Sequence, residues 1–196
     1  MIIDMHMHEM RYSWDSFLRL ENMVAIAKHR GLDGICITDH DSMGLKEFAA
    51  EYSEKTGFPI FVGIEFYSLQ GDIVAFGIED YPKERIPAQE FVDLVQAQGG
   101  MCFSAHPFRN NNRGLEENLK IVKGLDGIEV LNGSTLYEAN RKAAEYAAEL
   151  GLATVGSSDC HVPEKLGLYA TYFPREIRSV QELIRSVKRC ETLPVY

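Results

Sequence analysis

The composition of this 196-residue chain limits its architecture and its partners. Hydrophobic residues make up 45% of the sequence, so residues 1–196 are predicted to form one domain with a real core rather than two. The formal net charge of -9, from 20 Lys and Arg against 29 Asp and Glu, gives a field that repels long nucleic acid. A small anionic substrate is still compatible with this charge, because bound metal ions reverse the local potential.

The cysteines and the apolar runs indicate the cellular compartment in which the protein is expected. Cys36, Cys102, Cys160 and Cys190 lie far apart with no CxxC pair, which favours a reducing environment over a disulfide framework. The sequence has no basic start followed by a long apolar stretch, and so no visible signal peptide or membrane span. We therefore expect a soluble cytoplasmic protein that does not bind membranes.

Short apolar runs typical of strands alternate with amphipathic stretches typical of helices. In chain order, the predicted strands are 1–6, 33–39, 58–65, 72–78, 100–107, 126–132, 152–159 and 168–174. The predicted helices between them are 16–30, 42–56, 88–98, 115–123, 135–150 and 179–190. This alternation favours a parallel sheet covered by helices. The exception is 60–78, which is typical of a hairpin with Gly71 in its turn.

Several predicted strands end in residues that bind metal ions. The first run ends with His6 and His8, which share a strand face with Asp4 because side chains alternate. Later runs end with Asp39, His40, Asp41, Glu65, His106, Asp159 and His161. In parallel α/β folds the carboxyl ends of strands gather on one face, where ligands bind. Five of the six histidines are therefore predicted to converge.

Each motif also has an ordinary interpretation. An isolated HxH arises by chance, His106 could be a hydrogen-bonded core histidine, and Asp39 or Asp41 could cap a helix that starts near Ser42. The repetition at separate strand ends favours a metal centre, because carboxylates are costly to bury together without cations. Imidazole and carboxylate ligands without a thiolate pair indicate two or three Zn²⁺, Mn²⁺ or Fe²⁺ ions.

The motifs DMHMH, ITDHD, GIE, AHP and GSSDCH, in this order, resemble the PHP (polymerase and histidinol phosphatase) family of metal-dependent phosphoesterases. The resemblance extends from Ile2 to about Phe173. It implies a distorted (β/α)7 barrel of the α/β class, a trinuclear metal centre at its C-terminal rim, and hydrolysis of phosphate esters. About forty residues separate Glu65 from His106, which leaves no room for the inserted cap domain of some relatives.

The resemblance also implies a role for each motif residue. The ligands that it implies are His6, His8, Glu65 and Asp159 for one ion, Glu65 and His106 for a second, and Asp15, His40 and His161 for a third. Many members complete the second site with a histidine in the hairpin after the GxE motif. Here the nearest residue is Asp72, an expected oxygen ligand that would favour Mn²⁺ or Fe²⁺. A plain turn role for Asp72 is the alternative.

The expected nucleophile is a hydroxide that bridges the metal ions, which also bind the phosphate oxygens. His161, His40 or a metal-bound water is the candidate general acid for the leaving group. Arg109, in HPFRN, is predicted to contact a phosphate, with Arg113 and Arg141 as weaker candidates. A solvated loop position is the alternative for Arg109.

Other polar residues near these motifs have predicted supporting roles. Asp4 and Asp39 are expected to orient metal-binding imidazoles through the other ring nitrogen. Asn132 faces the pocket or forms a turn, and Cys160 packs away from the metals. His29 is expected to be a solvated residue in the last turn of a helix.

The predicted partner is a small phosphorylated substrate, a phosphomonoester or a nucleotide-type molecule. One alternative is an exonuclease or phosphodiesterase that acts on short oligonucleotides. The acidic net charge and the lack of an aromatic platform beside a basic groove disfavour this alternative. The other is an amidohydrolase-type C–N hydrolase, which usually has a modified lysine where this chain has Glu65. A non-catalytic, metal-stabilised module is disfavoured by the nearly complete ligand set.

Overall fold

A computed structural model describes residues 1–196 as an α/β fold with two five-stranded sheets. The strands are β1 (Ile2–Asp4), β2 (Gly34–Ile37), β3 (Ile60–Val62), β4 (Ile64–Tyr67), β5 (Asp72–Phe76), β6 (Met101–Ser104), β7 (Gly127–Asn132), β8 (Ala153–Ser157), β9 (Ala170–Tyr172) and β10 (Leu193–Val195). The helices are α1 (Leu20–His29), α2 (Lys46–Thr56), α3 (Ala88–Ala97), α4 (Tyr137–Leu150) and α5 (Val180–Lys188). Short 3-10 helices lie at Glu116–Lys120 and Pro163–Lys165.

The two sheets meet at the ends of their strands. The first has the order β10-β9-β1-β2-β3 and the second β4-β5-β6-β7-β8. Single parallel bridges join them, from Met7 to Cys160 beyond β1 and β8, and from His40 beyond β2 to Glu65 in β4. The first bridge brings the carboxyl ends of β1 and β8 together, and the second brings the carboxyl end of β2 next to β4.

The predicted strands are present with shorter ends, except that the predicted strand 58–65 is divided at Gly63 into β3 and β4, which belong to different sheets. The pairing is also less uniformly parallel than predicted. Strands β1 to β3 are parallel, as are β6 to β8. The predicted hairpin is confirmed, with β4 antiparallel to β5. Strand β9 runs antiparallel to both of its neighbours, β1 and β10. Strand β10 was not predicted, since its short run LPV contains a proline.

Two predicted helices differ from the observed ones. The stretch 115–123 forms only the 3-10 helix, where Glu116 has a φ of 49° that does not fit an α-helix. Helix α2 begins at Lys46, not Ser42, and has no side-chain cap. The capping interpretation of Asp39 and Asp41 is therefore wrong. None of the helices combines the length and hydrophobicity that a membrane crossing needs.

Gly63 separates β3 from β4 and so determines where Glu65 lies. Its N–H donates to the carbonyl of Ile37, and a Cβ at this position would lie 2.4 Å from the carbonyl oxygen of Ala75 in β5. Only glycine allows this close approach of two backbones. The chain can therefore leave the first sheet after β3 and pair with β5 through β4.

Gly63→Ala is expected to lower the free energy of unfolding by about 1–3 kcal/mol, because the new methyl group overlaps backbone that cannot move freely. Urea unfolding measures this. Gly57→Ala is the control: Gly57 has a φ of 64° and no atom within 4 Å of an added Cβ, so it costs backbone strain alone. The idea fails if Gly63→Ala unfolds at the wild-type midpoint.

Candidate metal centre

Histidines and carboxylates from both sheets meet at the joined strand ends. They are His6 and His8 after β1, His40 after β2, Glu65 in β4, Asp72 in β5, His106 after β6, and Asp159 and His161 after β8. The imidazole rings are close: their centroids lie 4.2 Å apart for His8 and His161 and 5.8 Å apart for His6 and His106. The predicted convergence of strand ends is confirmed.

Ligand-type atoms within 4.8 Å of one another form overlapping groups at this place. They are His6, His8 and Glu65; His6, His106 and Asp159; His8, His40 and His161; and Glu65, Asp72 and His106. Asp15 lies beside the third group, with its Oδ2 atom 3.3 Å from His40 Nε2 and 3.4 Å from His161 Nε2. Every residue predicted to bind metal thus lies in one cluster, most of them buried. This arrangement is consistent with a multi-metal site.

Glu129 in β7 fixes the orientation of His6. Its Oε1 atom lies 3.2 Å from His6 Nδ1, and its Oε2 atom accepts the backbone N–H of His106 at 2.7 Å. Because an ionised carboxylate only accepts, His6 donates from Nδ1 and keeps the lone pair of Nε2 for a ligand. Sequence reasoning missed Glu129, although a charged residue inside the apolar run GIEVLN was a usable signal.

Ser13 fixes His8 in the same way. Its hydroxyl donates to Asp39 Oδ1 at 2.8 Å, so it accepts from His8 Nδ1, 3.1 Å away. Asp39 therefore acts on His8 through Ser13 rather than directly as predicted. Asp4 does not orient an imidazole: its carboxylate accepts the backbone N–H groups of Ser158 and Gly167. The loop position of Ser13 gave no signal in the sequence.

Several buried polar atoms of the cluster have no hydrogen-bond partner within the protein, among them Asp15 Oδ1 and His106 Nδ1. The Nε2 atoms of His6 and His8 lie 3.0 Å apart. His40 Nδ1 lies 2.7 Å from Glu65 Oε2, but neither atom makes a hydrogen bond. Unsatisfied buried polar atoms are costly, and these are donor types that divalent transition metals bind. The residues present therefore fit a metal centre.

The ionisation of these groups reflects burial and their mutual charge. Burial lowers the pKa of His8 to about 3. The pKa of Asp159 lies well below its usual value in spite of burial, because His6 and His8 face it. Burial works against charging His40, but its contact with Glu65 raises the pKa to about 9. The pKa of Glu65 is also well below its usual value in spite of burial, since His6 faces it, so Glu65 and Asp159 are held ionised where cations would bind.

Two arginines share the central cavity with these groups. The cavity has a volume of about 130 Å³ and is lined by Asp15, His40, Glu65, His106, Arg109, Asn111, Arg113, Asp159 and His161. Arg109 donates to Asp159, to Asn132 Oδ1 at 2.6 Å and to Thr135 Oγ1 at 3.1 Å. Asn132 thereby reaches the site, as one of its predicted alternatives required.

Other predictions concern residues outside the cavity. Arg141 lies on the exposed face of α4, where it pairs with Glu138 and Glu145, so the prediction of a phosphate contact is wrong. His29 is exposed at the end of α1, and Cys160 is buried in a hydrophobic cluster away from the histidines. All four cysteines are free.

Comparison with known proteins gives the class of this fold. Residues 137–192 match the model of the PHP-associated family PHP_C. An uncharacterized protein of Methanocaldococcus jannaschii is 28% identical over 140 residues, which is 66% of this chain and 80% of that protein.

Three solved structures share the fold. A provisionally assigned metal-dependent phosphoesterase from Bifidobacterium adolescentis is 18% identical, with a TM-score of 0.72 over 94% of this chain and 96% of that one. An amidohydrolase from Chromobacterium violaceum, solved with sulfate and without metal, is 20% identical, with a TM-score of 0.72 over 97% of both chains. The lesion-specific endonuclease EndoQ from Pyrococcus furiosus is 17% identical, with a TM-score of 0.74 over 96% of this chain and 56% of that one.

These likenesses define an α/β fold of the PHP type with a cluster of metal-site candidates at its strand ends. The family-model match is confined to residues 137–192, and the similar structures show the fold of the chain.

Divalent ions are expected to stabilise the protein, because they bind the clustered ligands only in the folded state. A free concentration about 100 times the dissociation constant adds about 2.7 kcal/mol to the free energy of unfolding. Thermal unfolding with Mn²⁺, compared with chelated protein, measures this shift. Equal melting temperatures under both conditions would contradict a metal centre.

Glu129→Gln is expected to weaken metal binding by about 10–100-fold, because a neutral amide holds His6 less firmly as an Nδ1 donor. Calorimetric titration of the chelated protein with Mn²⁺ measures the change. The control is Glu145→Gln, which removes an exposed carboxylate from α4. If both variants bind metal alike, Glu129 has no positioning role.

Proposed function

We propose that this protein is a metal-dependent hydrolase that cleaves a small-molecule phosphate ester, either a phosphomonoester or a nucleotide-type substrate. One observation carries the proposal: metal-type ligand atoms and two arginines, Arg109 and Arg113, line the same cavity of about 130 Å³. Guanidinium groups and cations that face one small space favour a doubly charged anion such as a phosphate.

In this proposal the ligands are divided as the family resemblance implies. One ion is held by His6, His8, Glu65 and Asp159, another by Asp15, His40 and His161, and a third position is formed by Glu65, His106 and Asp72. When bound, such ions supply Lewis-acid chemistry, which makes water nucleophilic near neutral pH and neutralises charge on the phosphate. Zn²⁺, Mn²⁺ and Fe²⁺ suit these nitrogen and oxygen ligands.

The side chains of the protein bind and orient the substrate. Arg109 is fixed by Asn132 and Thr135, so its guanidinium binds a phosphate oxygen with little loss of freedom. Whichever of His40 and His161 is not a tight metal ligand is the candidate general acid, because their side chains, 16% and 25% exposed, are the imidazoles of the cluster that solvent and a leaving group can reach.

A neighbouring pocket fits the alcohol part of the ester. It has a volume of about 460 Å³ and is lined by Phe108, Arg109, Asn110, Ser134, Thr135, Leu136, Glu138 and Ala139. Arg109 lines both this pocket and the metal-site cavity. A substrate whose phosphate contacts Arg109 can therefore place its remaining atoms against a surface with both apolar and hydroxyl groups.

The relatives support the same chemistry. One similar structure is named, provisionally, as a metal-dependent phosphoesterase, and another was solved with sulfate, an anion of the same shape as phosphate. We further infer that the two sheets, joined by the Met7–Cys160 and His40–Glu65 bridges, form the walls of a distorted (β/α)7 barrel.

A phosphodiesterase that acts on short oligonucleotides is the second candidate. Trp14 and Phe17, which flank Asp15 in sequence, have exposed fractions of 89% and 74%. Exposed aromatic side chains beside a catalytic pocket can stack on bases, and the sequence did not lead us to expect them. One of the similar structures is an endonuclease.

The test uses the Mn²⁺-loaded protein and two readouts. Hydrolysis of phosphomonoesters and nucleoside bisphosphates is measured as released inorganic phosphate, and cleavage of short oligonucleotides is measured as shortened products by chromatography. His8→Ala is expected to lose at least about 100-fold of the activity, since even the outer partners of metal ligands contribute 10–100-fold. His29→Ala, which removes the exposed histidine outside the cluster, is the control and keeps full activity.

Full activity in His8→Ala, or after exhaustive chelation, would falsify the proposed function. Trp14→Ala separates the two candidates: it lowers cleavage of oligonucleotides in the second and leaves small phosphomonoesters unaffected in the first.

A further inference from the structure

Asp72 is bound on both of its carboxylate oxygens by one arginine. It is fully buried at the start of β5. Arg113 Nε donates to Oδ2 at 2.6 Å, and Arg113 Nη2 donates to Oδ1 at 3.0 Å. This two-point contact between a guanidinium and a carboxylate is among the strongest neutralising interactions that a protein can make.

Several other contacts hold Arg113 in this place. Its guanidinium carbon lies 4.5 Å from the centre of the Tyr67 ring, and its backbone carbonyl accepts the N–H of Asp72 at 2.6 Å. The two segments are pressed together next to this bond, where a Cβ at Gly71 would lie 2.6 Å from the carbonyl carbon of Gly114. The arginine is therefore part of the site rather than a mobile loop residue.

The other candidate carboxylates leave oxygens free for metal ions. Asp159 gives Oδ2 to Arg109 but turns Oδ1 toward His8, 3.3 Å from its Nε2 atom. Both oxygens of Glu65 face imidazoles: Oε1 lies 2.9 Å from His106 Nε2, and Oε2 lies 2.7 Å from His40 Nδ1. Asp72 alone has both oxygens occupied by a guanidinium.

We propose that Arg113 takes the place of a cation at the corner formed by Glu65, Asp72 and His106. A fixed positive charge beside this corner repels an incoming divalent ion and competes with it for the carboxylate. The inference rests on the proposed metal centre and corrects its third position: two ions are held firmly, and Asp72 is the counter-ion of Arg113 rather than a metal ligand.

The pair gives Arg113 a role toward the substrate. The Nη1 group makes no hydrogen bond to Asp72, and Arg113 lines the same cavity as Arg109. The arginine thus supplies, as a permanent part of the chain, the positive charge that a third ion would bring to a phosphate. A guanidinium is not lost by dilution or chelation, whereas an ion is.

Metal counting tests the inference without any substrate. Protein stripped by chelation is reloaded with excess Mn²⁺, desalted and analysed by mass spectrometry of the elements. The wild type is expected to keep two ions per chain, and Asp72→Asn the same number. Arg113→Gln is expected to keep a third ion after desalting. In calorimetry it is expected to bind that ion at least about tenfold more tightly than the wild type does. In Arg113→Gln combined with Asp72→Asn, the count returns to two.

Arg85→Gln is the matched control. Arg85 lies over the same Tyr67 ring, 3.7 Å from its centre, but donates to the carbonyl of Ser68 and does not contact Asp72. Its loss removes a neighbouring positive charge and is expected to leave two ions.

Three retained ions in the wild type, with one lost in Asp72→Asn, would overturn the inference, as would an unchanged count and affinity in Arg113→Gln. The comparison of wild type with Asp72→Asn decides the matter even if Arg113→Gln does not fold. A wild type that binds no metal refutes the proposed function itself, whereas a count of three refutes only the role of Arg113.

Discussion

The structure depends on the confinement of electron-rich groups in a small buried volume. Glu65, Asp72 and Asp159 are almost completely buried, and the imidazoles around them turn lone pairs toward a common centre. Such groups repel one another and lose hydration, so folding would be opposed here unless positive charge enters with them. Arg109 and Arg113 supply part of that charge from the chain. In the proposed metal centre, bound cations would supply the remainder, and the stability of the fold would then depend on them.

The fold provides rigid supports for this arrangement. Glu129, Ser13 and Asn132 use hydrogen bonds to decide which nitrogen or oxygen atom of each neighbour faces the centre. Glu129 contacts His6 after β1, the backbone N–H of His106 after β6, and Ser157 in β8. It therefore connects site residues that come from both sheets. Glu129 and Asn132 both lie in β7, so a strand holds two of the three orienting residues, which limits the reorganisation needed when ions bind.

Residues whose position follows from the local sequence pattern could be predicted. The prediction was wrong for residues whose side-chain orientation depends on a partner far away in the sequence. His6, His106 and Asp159 could be placed because strand ends gather on one face. Asp4 shares that alternation, yet its carboxylate turns to backbone N–H groups of residues more than 150 positions away, at separations of 154 and 163.

The pairing of Arg113 with Asp72 also spans 41 residues and is not visible in any short motif.

Arg109 separates two regions that the chain builds from different elements. The ion-binding cluster comes from strand ends of both sheets, while the adjoining 460 Å³ pocket comes from the loop after β6, the loop after β7 and the first turn of α4. Substitutions at Leu136 or Ala139 can therefore reshape what fits beside the arginine without touching an imidazole. In the proposed function, substitutions at the start of α4 could therefore change which alcohol part of the ester is accepted during evolution. The residues of the metal-site cluster would stay the same.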